Sequence, residues 1–203
     1  MMGLILKDLY NLKKQSKFYF ILLVFYFLIG MANNSISMFG TMLCVLAAML
    51  PVTAMAYDEK NNWDRYALTM PLSRKDMVLS RYILGLIFSF IAFMISIASS
   101  FFLIKDSFVE SITMNLGTLS FVWILMSIIF PIIFKFGIEK GRILLMMILF
   151  APSMIVLFLS NYGIQLPDEE TIKPYLYYLP IVIIIIFILS LFISISIYNK
   201  KEF

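Results

Sequence analysis

The side chains of this sequence that could do chemistry are few and unevenly placed. The 203 residues include no histidine and one cysteine, Cys44, so the commonest general base and metal ligand is missing and no intrachain disulfide can form. The sequence also has no GxxxxGK[ST] loop for a nucleotide phosphate and no HExxH pattern for a catalytic zinc. The chain is therefore poorly equipped for catalysis of its own.

The charged residues are concentrated in short segments, and the richest segment is residues 57–77, YDEKNNWDRYALTMPLSRKDM. Helical spacing predicts an apolar face here, with two charged residues pointing away from it: Trp63, Tyr66, Ala67 and Met70 against Asp64 and Arg65. Aromatic and Arg side chains commonly anchor protein interfaces. A plain loop would not need such a coherent apolar face, so the segment is predicted to have a specialised role.

Capping residues predict where the helices of this segment begin and end. Asn62 can cap a short helix that Pro71 would end. Ser73, with Asp76 three residues later, has the spacing of a capping box at the start of the next helix. A short helix between two longer ones is the predicted arrangement.

Long stretches without Asp, Glu, Lys or Arg separate the charged segments: residues 18–57, 82–104, 111–134, 143–167 and 174–199. About 20 apolar residues of helix cross a bilayer core, and the bilayer requires every backbone group to be paired within its helix. The first stretch can hold two helices that turn at Asn33-Asn34-Ser35. The chain is therefore predicted to be one all-α integral membrane domain, residues 1–203, with six spans and a short helix lying along the membrane between spans two and three.

The basic residues predict the orientation of these spans. Lys and Arg accumulate in short cytoplasmic loops, and fourteen of them fall on one side of the predicted topology. The other side has only Lys105 and Lys173, together with the acidic Asp168-Glu169-Glu170. Both termini are thus predicted to be cytoplasmic. The net charge of +4 is explained by a basic face beside anionic lipid, and no nucleic-acid partner is predicted.

The polar residues inside the predicted spans are small or uncharged. An ionisable residue in a span usually marks an ion path, so the lack of one argues against an ion-coupled function. Small residues recur at helical spacing in spans two and three: Gly40, Cys44, Ala47, Ala48, Gly85, Ser89, Ala92, Ser96 and Ser99 or Ser100. Close helix packing is the favoured interpretation. A path lined by hydroxyls is the alternative.

The first sixteen residues predict an amphipathic, basic helix in the inner interface. Its apolar face consists of Met2, Ile5, Leu6, Leu9 and Leu12. The polar residues Lys7, Asn11 and Lys14 lie on other sides of the helix. The alternative is a plain extension of span one.

Three parts of the chain together resemble the small ABC-2 type exporter permeases. Their sequences are Asp58-Glu59 through Trp63, Arg65 and Tyr66 to Met70-Pro71-Leu72-Ser73-Arg74, Val78 and Tyr82; Pro131 with Lys135-Phe136-Gly137 and Glu139-Lys140-Gly141-Arg142; and the tail Tyr198–Phe203. The first looks like the family's coupling helix and the second like its second cytoplasmic loop. The resemblance implies that the ATPase-coupling residues are Asp58, Glu59, Trp63, Asp64, Arg65, Tyr66, Pro71 and Arg74. It implies a second contact loop of Lys135, Phe136, Gly137, Glu139, Lys140 and Arg142.

The same resemblance implies the partners and the substrate class. The chain would pair with a second permease, identical or related, and with two copies of a separate ATPase that carries the ATP and Mg. Within the family it looks most like the permeases of phenol-soluble-modulin exporters, which implies export of apolar or amphipathic peptides across a bacterial plasma membrane. The short segment 161–175 leaves little room for an external gate, which disfavours a large hydrophilic substrate. A non-transport membrane protein, such as an immunity or assembly factor, is the main alternative, and an intramembrane enzyme is the third.

Overall fold

Every regular element of the described chain is a helix in the computed structural model, which describes residues 1–32, 36–103, 108–162 and 179–201. These ranges contain no strand. The helices are α1 (Met2–Lys13), α2 (Ser16–Ala32), α3 (Ile36–Lys60), α4 (Trp63–Ala67), α5 (Arg74–Leu103), α6 (Phe108–Phe136), α7 (Ile138–Asn161) and α8 (Leu179–Lys200).

Four of the described helices are long and apolar enough to cross a membrane alone: Phe39–Lys60, Arg74–Ser100, Ile112–Phe136 and Leu179–Lys200. Helices α1 and α2 pass the same test only as a pair, bent by 68°. The chain is therefore an all-α membrane protein, and its described residues contain four candidate spans, or five if the bent pair is one span.

The finer topology stays a prediction. Helix α7, the predicted fifth span, is 24 residues long but is not among the four. The turn at Asn33-Asn34-Ser35, Lys105 and the segment 168–173 lie outside the described residues. Six spans, both termini inside and a single domain therefore remain expectations.

Helices α3, α5, α6 and α8 form the centre of the bundle, and small residues let them approach closely. A Cβ added to Gly85 of α5 would lie 3.0 Å from the sulfur of Met126 on α6, and one added to Gly40 of α3 would overlap the Ser96 hydroxyl of α5. Cys44 of α3 is also buried. These contacts support close helix packing as the role of the small residues, because small side chains let the backbones of two membrane helices approach each other.

One end of this bundle collects the charged residues. There α3 ends at Lys60, α5 begins at Arg74, α7 begins at Ile138 and α8 ends at Lys200. Hydrogen bonds join these helix termini, from the Ile138 amide of α7 to Glu59 of α3 and from Arg74 of α5 to the Asn199 carbonyl of α8. We call this region the charged end.

Candidate functional site

Helix α4 begins and ends differently from the sequence prediction. Asn62 stands immediately before it with a left-handed backbone, φ 51°, and its side chain makes no capping hydrogen bond. Asn62 therefore reverses the chain after α3, a conformation that Asn tolerates better than most residues. The predicted side-chain cap is wrong. The helix ends at Ala67, four residues before Pro71, and the chain continues in turns such as the bond from the Met70 amide to the Ala67 carbonyl, 3.1 Å.

The faces of α4 also differ in part from the prediction. Ala67 is fully buried and Trp63 is partly buried, as a packed face requires. Tyr66, predicted on that face, is 59% exposed, whereas Arg65 is exposed as predicted. Asp64 was predicted to point away, but it is partly buried and shares a hydrogen bond with the Tyr198 hydroxyl of α8. The cause is the Tyr198 side chain of α8, which reaches Asp64 and which local spacing cannot reveal.

Burial of Asp64 has an electrostatic consequence. Loss of hydration raises the pKa of its carboxyl group above the ordinary value, and Lys201 and the Tyr198 hydrogen bond offset part of that rise. The protonated form of Asp64 is therefore favoured more than in a solvated loop.

The capping box at the start of α5 is confirmed. The Ser73 hydroxyl donates to the Asp76 carboxylate at 2.6 Å, and the Asp76 amide donates back to the Ser73 oxygen at 3.0 Å. Both partners lie within one helical turn, so local sequence was sufficient to predict the contact.

Four charged side chains form a cluster that joins α1, α3 and α5. Arg81 of α5 donates to Asp8 of α1 and to Asp58 of α3. The Lys7 ammonium of α1 lies 2.7 Å from both oxygens of Asp58 and 3.2 Å from Asp8. Two positive and two negative charges therefore balance. We call these residues, Lys7, Asp8, Asp58 and Arg81, the ion cluster.

Three residues of the ion cluster are buried and Lys7 is partly buried, so the balance of charge within the cluster matters for stability. Asp8 is fully buried, while Asp58 and Arg81 are 5% and 6% exposed. Removing one partner of such a cluster typically costs about 3–5 kcal/mol, because the remaining charge stays buried without compensation. The cluster also reaches α4, since the Lys7 ammonium lies 4.4 Å from the centre of the Trp63 ring, a cation–π distance.

Sequence reasoning missed this cluster and the orientation of α1. Helix α1 is confirmed as a separate helix, but its buried residues are Leu4, Asp8 and Leu12, and only Leu12 of these belongs to the predicted apolar face. Met2 of that predicted face is 79% exposed. The signal was available: Asp8 is the one acidic residue before Asp58, and it lies at four-residue spacing between Leu4 and Leu12.

Glu59, next to the ion cluster, joins α3 to α7. Its carboxylate accepts a 2.8 Å hydrogen bond from the Ile138 amide, the first residue of α7. Gly137 precedes Ile138 with a left-handed φ of +86°, and a Cβ there would lie 3.0 Å from the carboxylate. Glycine suits this position on both counts.

Arg74, the first residue of α5, joins that helix to α8. Its guanidinium donates to the carbonyls of Tyr198, Asn199 and Lys201 at 3.3, 2.6 and 3.1 Å. The last carbonyls of a helix lack intrahelical donors and carry partial negative charge, so a guanidinium is well suited to them. Arg74 therefore fixes the end of α8.

The two predicted coupling segments meet at an open cleft of about 330 Å³. Its lining is Asp58, Glu59, Asn62, Asp64, Arg65, Lys135, Phe136, Gly137 and Lys201. Seven of the predicted coupling residues are brought together there. The others, Trp63, Tyr66, Pro71, Arg74, Glu139, Lys140 and Arg142, do not line it. The Lys135 and Lys140 ammonium groups lie 5.0 and 5.7 Å from the ring of Phe136, which is 51% exposed at the cleft.

A smaller cavity of about 50 Å³ lies beside this cleft. It is lined by parts of the ion cluster together with Trp63, Asp64 and Tyr198. Its volume suits one or two water molecules at most. Among the described residues no group of three or more His, Cys, Asp and Glu could hold a metal.

Comparison with known proteins identifies the family. Residues 3–199 match the family described as ABC-2 family transporter protein. No curated protein and no solved structure matches the chain. Because the match covers nearly the whole sequence, the chain belongs to the ABC-2 family and is a membrane permease component of an ABC transporter, a class that works with an ATPase partner in a lipid bilayer.

Proposed function

We propose that this chain is the permease of a bacterial plasma-membrane exporter whose charged end faces the cytoplasm and receives a separate ATPase. The observation that carries the proposal is the cleft, where residues from the segment after α3 and from the α6–α7 turn meet. Two segments far apart in sequence thereby offer one continuous surface to a partner.

The exposed residues beside the cleft have the chemistry of an interface. Arg65 and Tyr66 project from α4, and Phe136 projects from the end of α6. These residue types are the ones that most often anchor interfaces. Trp63 supports α4 from beneath, because it is partly buried under Lys7. We therefore assign direct ATPase contact to Arg65 and Tyr66, salt-sensitive contact to Asp64, and support of the α4 surface to Trp63.

The complete transporter is proposed to contain two permeases, identical or related, and two ATPases. ATP and Mg would bind to the ATPases, and their closure would push α4 as a coupling helix. Six spans with both termini in the cytoplasm are part of this proposal, from the fourteen-to-two distribution of basic residues.

The proposed substrates are apolar or amphipathic peptides, including peptides like the phenol-soluble modulins. Flexible Met and flat Phe side chains can adapt to varied apolar surfaces. Helix α7 exposes a row of them: Met146, Met147, Phe150, Met154 and Phe158. The charge-free spans offer no partner to a desolvated ionic substrate.

The test of the coupling assignment is co-purification of an ATPase with tagged permease from host membranes. Arg65→Ala and Tyr66→Ala should each weaken the complex by about 2 kcal/mol, roughly thirtyfold in affinity, if they are anchors. Lys75→Ala, an exposed basic residue outside the cleft, is the matched control and should bind as the wild type does. Absence of any ATPase from the wild-type preparation would favour a non-transport membrane protein instead.

The substrate proposal has its own test in the assembled complex in lipid. Amphipathic helical peptides should stimulate ATP hydrolysis more than scrambled peptides of equal charge, and a hydrophilic sugar polymer should not stimulate it. An equal response to all three would contradict the peptide assignment and leave the transporter assignment intact.

A further inference from the structure

Glu59 lies between the α3–α4 corner, which is proposed to face the ATPase, and the first turn of α7. Apart from this contact, α7 packs against the protein through one face only. It lies in the last turn of α3, one residue after Asp58 and four before α4 begins. Its carboxylate holds the first amide of α7 at 2.8 Å. Negative charge at a helix N-terminus is stabilised by the unpaired amides and the helix dipole.

Helix α7 is joined to α6 by one residue, Gly137, between Phe136 and Ile138. Near this joint α7 packs through Ile138, Gly141 and Leu145, while Ile143, Met146 and Met147 are exposed. Because α7 follows a single glycine and packs through one face only, the orientation of its axis depends on the contacts of its first turn. Glu59 holds that turn from α3.

The α3 side of this contact is rigid. Asp58, the neighbour of Glu59, is fixed by both Arg81 and Lys7. A displacement of the α3–α4 corner therefore carries the Glu59 carboxylate with it, rather than being absorbed by rotation of the last turn of α3.

We propose that Glu59 is a positioning residue that passes movement of the α3–α4 corner to α7 through the Ile138 amide. The proposal rests on the ATPase-driven function proposed above and adds to it a route and a residue. Glu59 acts by accepting a hydrogen bond within this chain, not by offering its charge to the ATPase.

Two substitutions of Glu59 separate these roles. Glu59→Gln keeps an oxygen that can accept from the Ile138 amide but removes the charge, whereas Glu59→Ala removes both. Glu59→Ala should reduce peptide transport about tenfold, since a lost charge-assisted hydrogen bond has an effect of this order. Because Glu59 also lines the cleft, transport is compared at equal amounts of bound ATPase, and the Gln and Ala variants, which both lack the charge, should bind the ATPase equally. Glu59→Gln should restore most of the transport. Lys60→Ala, which changes the charge at the next, exposed position, is the control and should transport as the wild type does.

The same bond can be removed from its other side. Ile138→Pro eliminates the amide donor at the first helical position, where proline is tolerated. It should reproduce the transport loss of Glu59→Ala, with Ile138→Val as the control for the altered buried side chain. Combining Ile138→Pro with Glu59→Ala should cause no further loss. This arm keeps the test decisive if Glu59→Ala fails to fold.

A conformational measurement distinguishes transmission from simple support. In a Cys44→Ser background, the labelling rate of a thiol introduced by Ile143→Cys, exposed in the second turn of α7 and outside the predicted contact loop, should change about threefold or more when ATP closes the complex. The change should persist with Glu59→Gln and disappear with Glu59→Ala. Wild-type transport by Glu59→Ala, or equal failure of the Gln and Ala variants, would overturn the proposal for Glu59 while an ATPase still co-purifies. A wild-type permease that binds no ATPase would overturn the proposed function itself.

Discussion

Arg81 and Tyr82 are neighbours in α5, yet they serve two polar networks built on different chemistry. Arg81 balances two buried carboxylates at the charged end. Tyr82 contacts the hydroxyls of Ser190 and Ser194 of α8 at 2.7 and 2.8 Å, and Ser190 donates to the Ser127 carbonyl of α6 at 2.6 Å. Charges thus lie at the end of the bundle, and neutral hydroxyls join the helices one step further in.

The difference follows from the free energy of desolvation. Burying a hydroxyl costs little free energy if it forms one or two hydrogen bonds. Burying an ion costs much more unless an opposite charge and several hydrogen bonds compensate it. Removal of any one residue of the ion cluster should therefore leave a buried charge uncompensated, whereas the hydroxyl network can rearrange when one hydroxyl is removed.

The largest effect is expected from Arg81→Ala, which leaves Asp8 and Asp58 buried with only Lys7 as a basic partner. The free energy of unfolding should fall by about 3–5 kcal/mol. Thermal unfolding of the detergent-solubilised protein measures the effect. Replacing the cluster together, with Arg81→Met, Asp8→Leu, Asp58→Leu and Lys7→Met, should recover most of the loss, because no buried charge remains. If Arg81→Ala were as stable as the wild type, the ion cluster would have to be hydrated and the prediction would be wrong.

A smaller effect is expected from Tyr82→Phe, which removes one hydroxyl and keeps the ring packed against Phe130 and Phe187. The loss should be about 1 kcal/mol, since hydrogen bonds between membrane helices contribute modestly and Ser194 can turn to its own helix. The same unfolding assay applies. A loss as large as that of Arg81→Ala would refute the contrast between the two networks.

The smallest effect concerns Asp64 and depends on pH. Its folded-state pKa is raised by burial, so the folded protein binds this proton more tightly than the unfolded chain does. The resulting stability is present below the unfolded pKa and is lost as pH rises through the folded pKa. Asp64→Asn keeps an acceptor for Tyr198 without the charge, so the variant should gain stability relative to wild type as pH rises from about 4 towards 7. A constant difference across this range would contradict the raised pKa.

Local sequence was a good guide to the long helices and to one of the two predicted helix caps, whereas the Asn62 cap was wrong because that residue adopts a left-handed backbone. The charge-free stretches predict membrane helices, and the Ser73–Asp76 capping box is confirmed at its predicted place. The family resemblance is confirmed at the level of the ABC-2 family. The phenol-soluble-modulin assignment stays a prediction.

The contacts that could not be predicted join residues far apart in the chain. Arg81 and Asp8 are 73 residues apart, and Arg74 and Asn199 are 125 apart. Such pairs depend on which helices become neighbours, and nothing in the spacing of either segment specifies that. The burial of Asp64 was not predicted for the same reason, because its partner Tyr198 lies near the C-terminal end of the sequence.

The two tryptophans of the chain, Trp63 and Trp123, lie in different surroundings. Trp63 sits under the Lys7 ammonium at the charged end. Trp123 lies among the helices, donates to the Ser89 hydroxyl at 3.1 Å and has the Phe90 and Phe187 rings at 5.8 Å. The fluorescence of the two indoles therefore comes from two different surroundings, the charged end beside Lys7 and the interior of the helix bundle. With one tryptophan changed to phenylalanine at a time, the protein provides its own optical reporter for each region, without an attached dye.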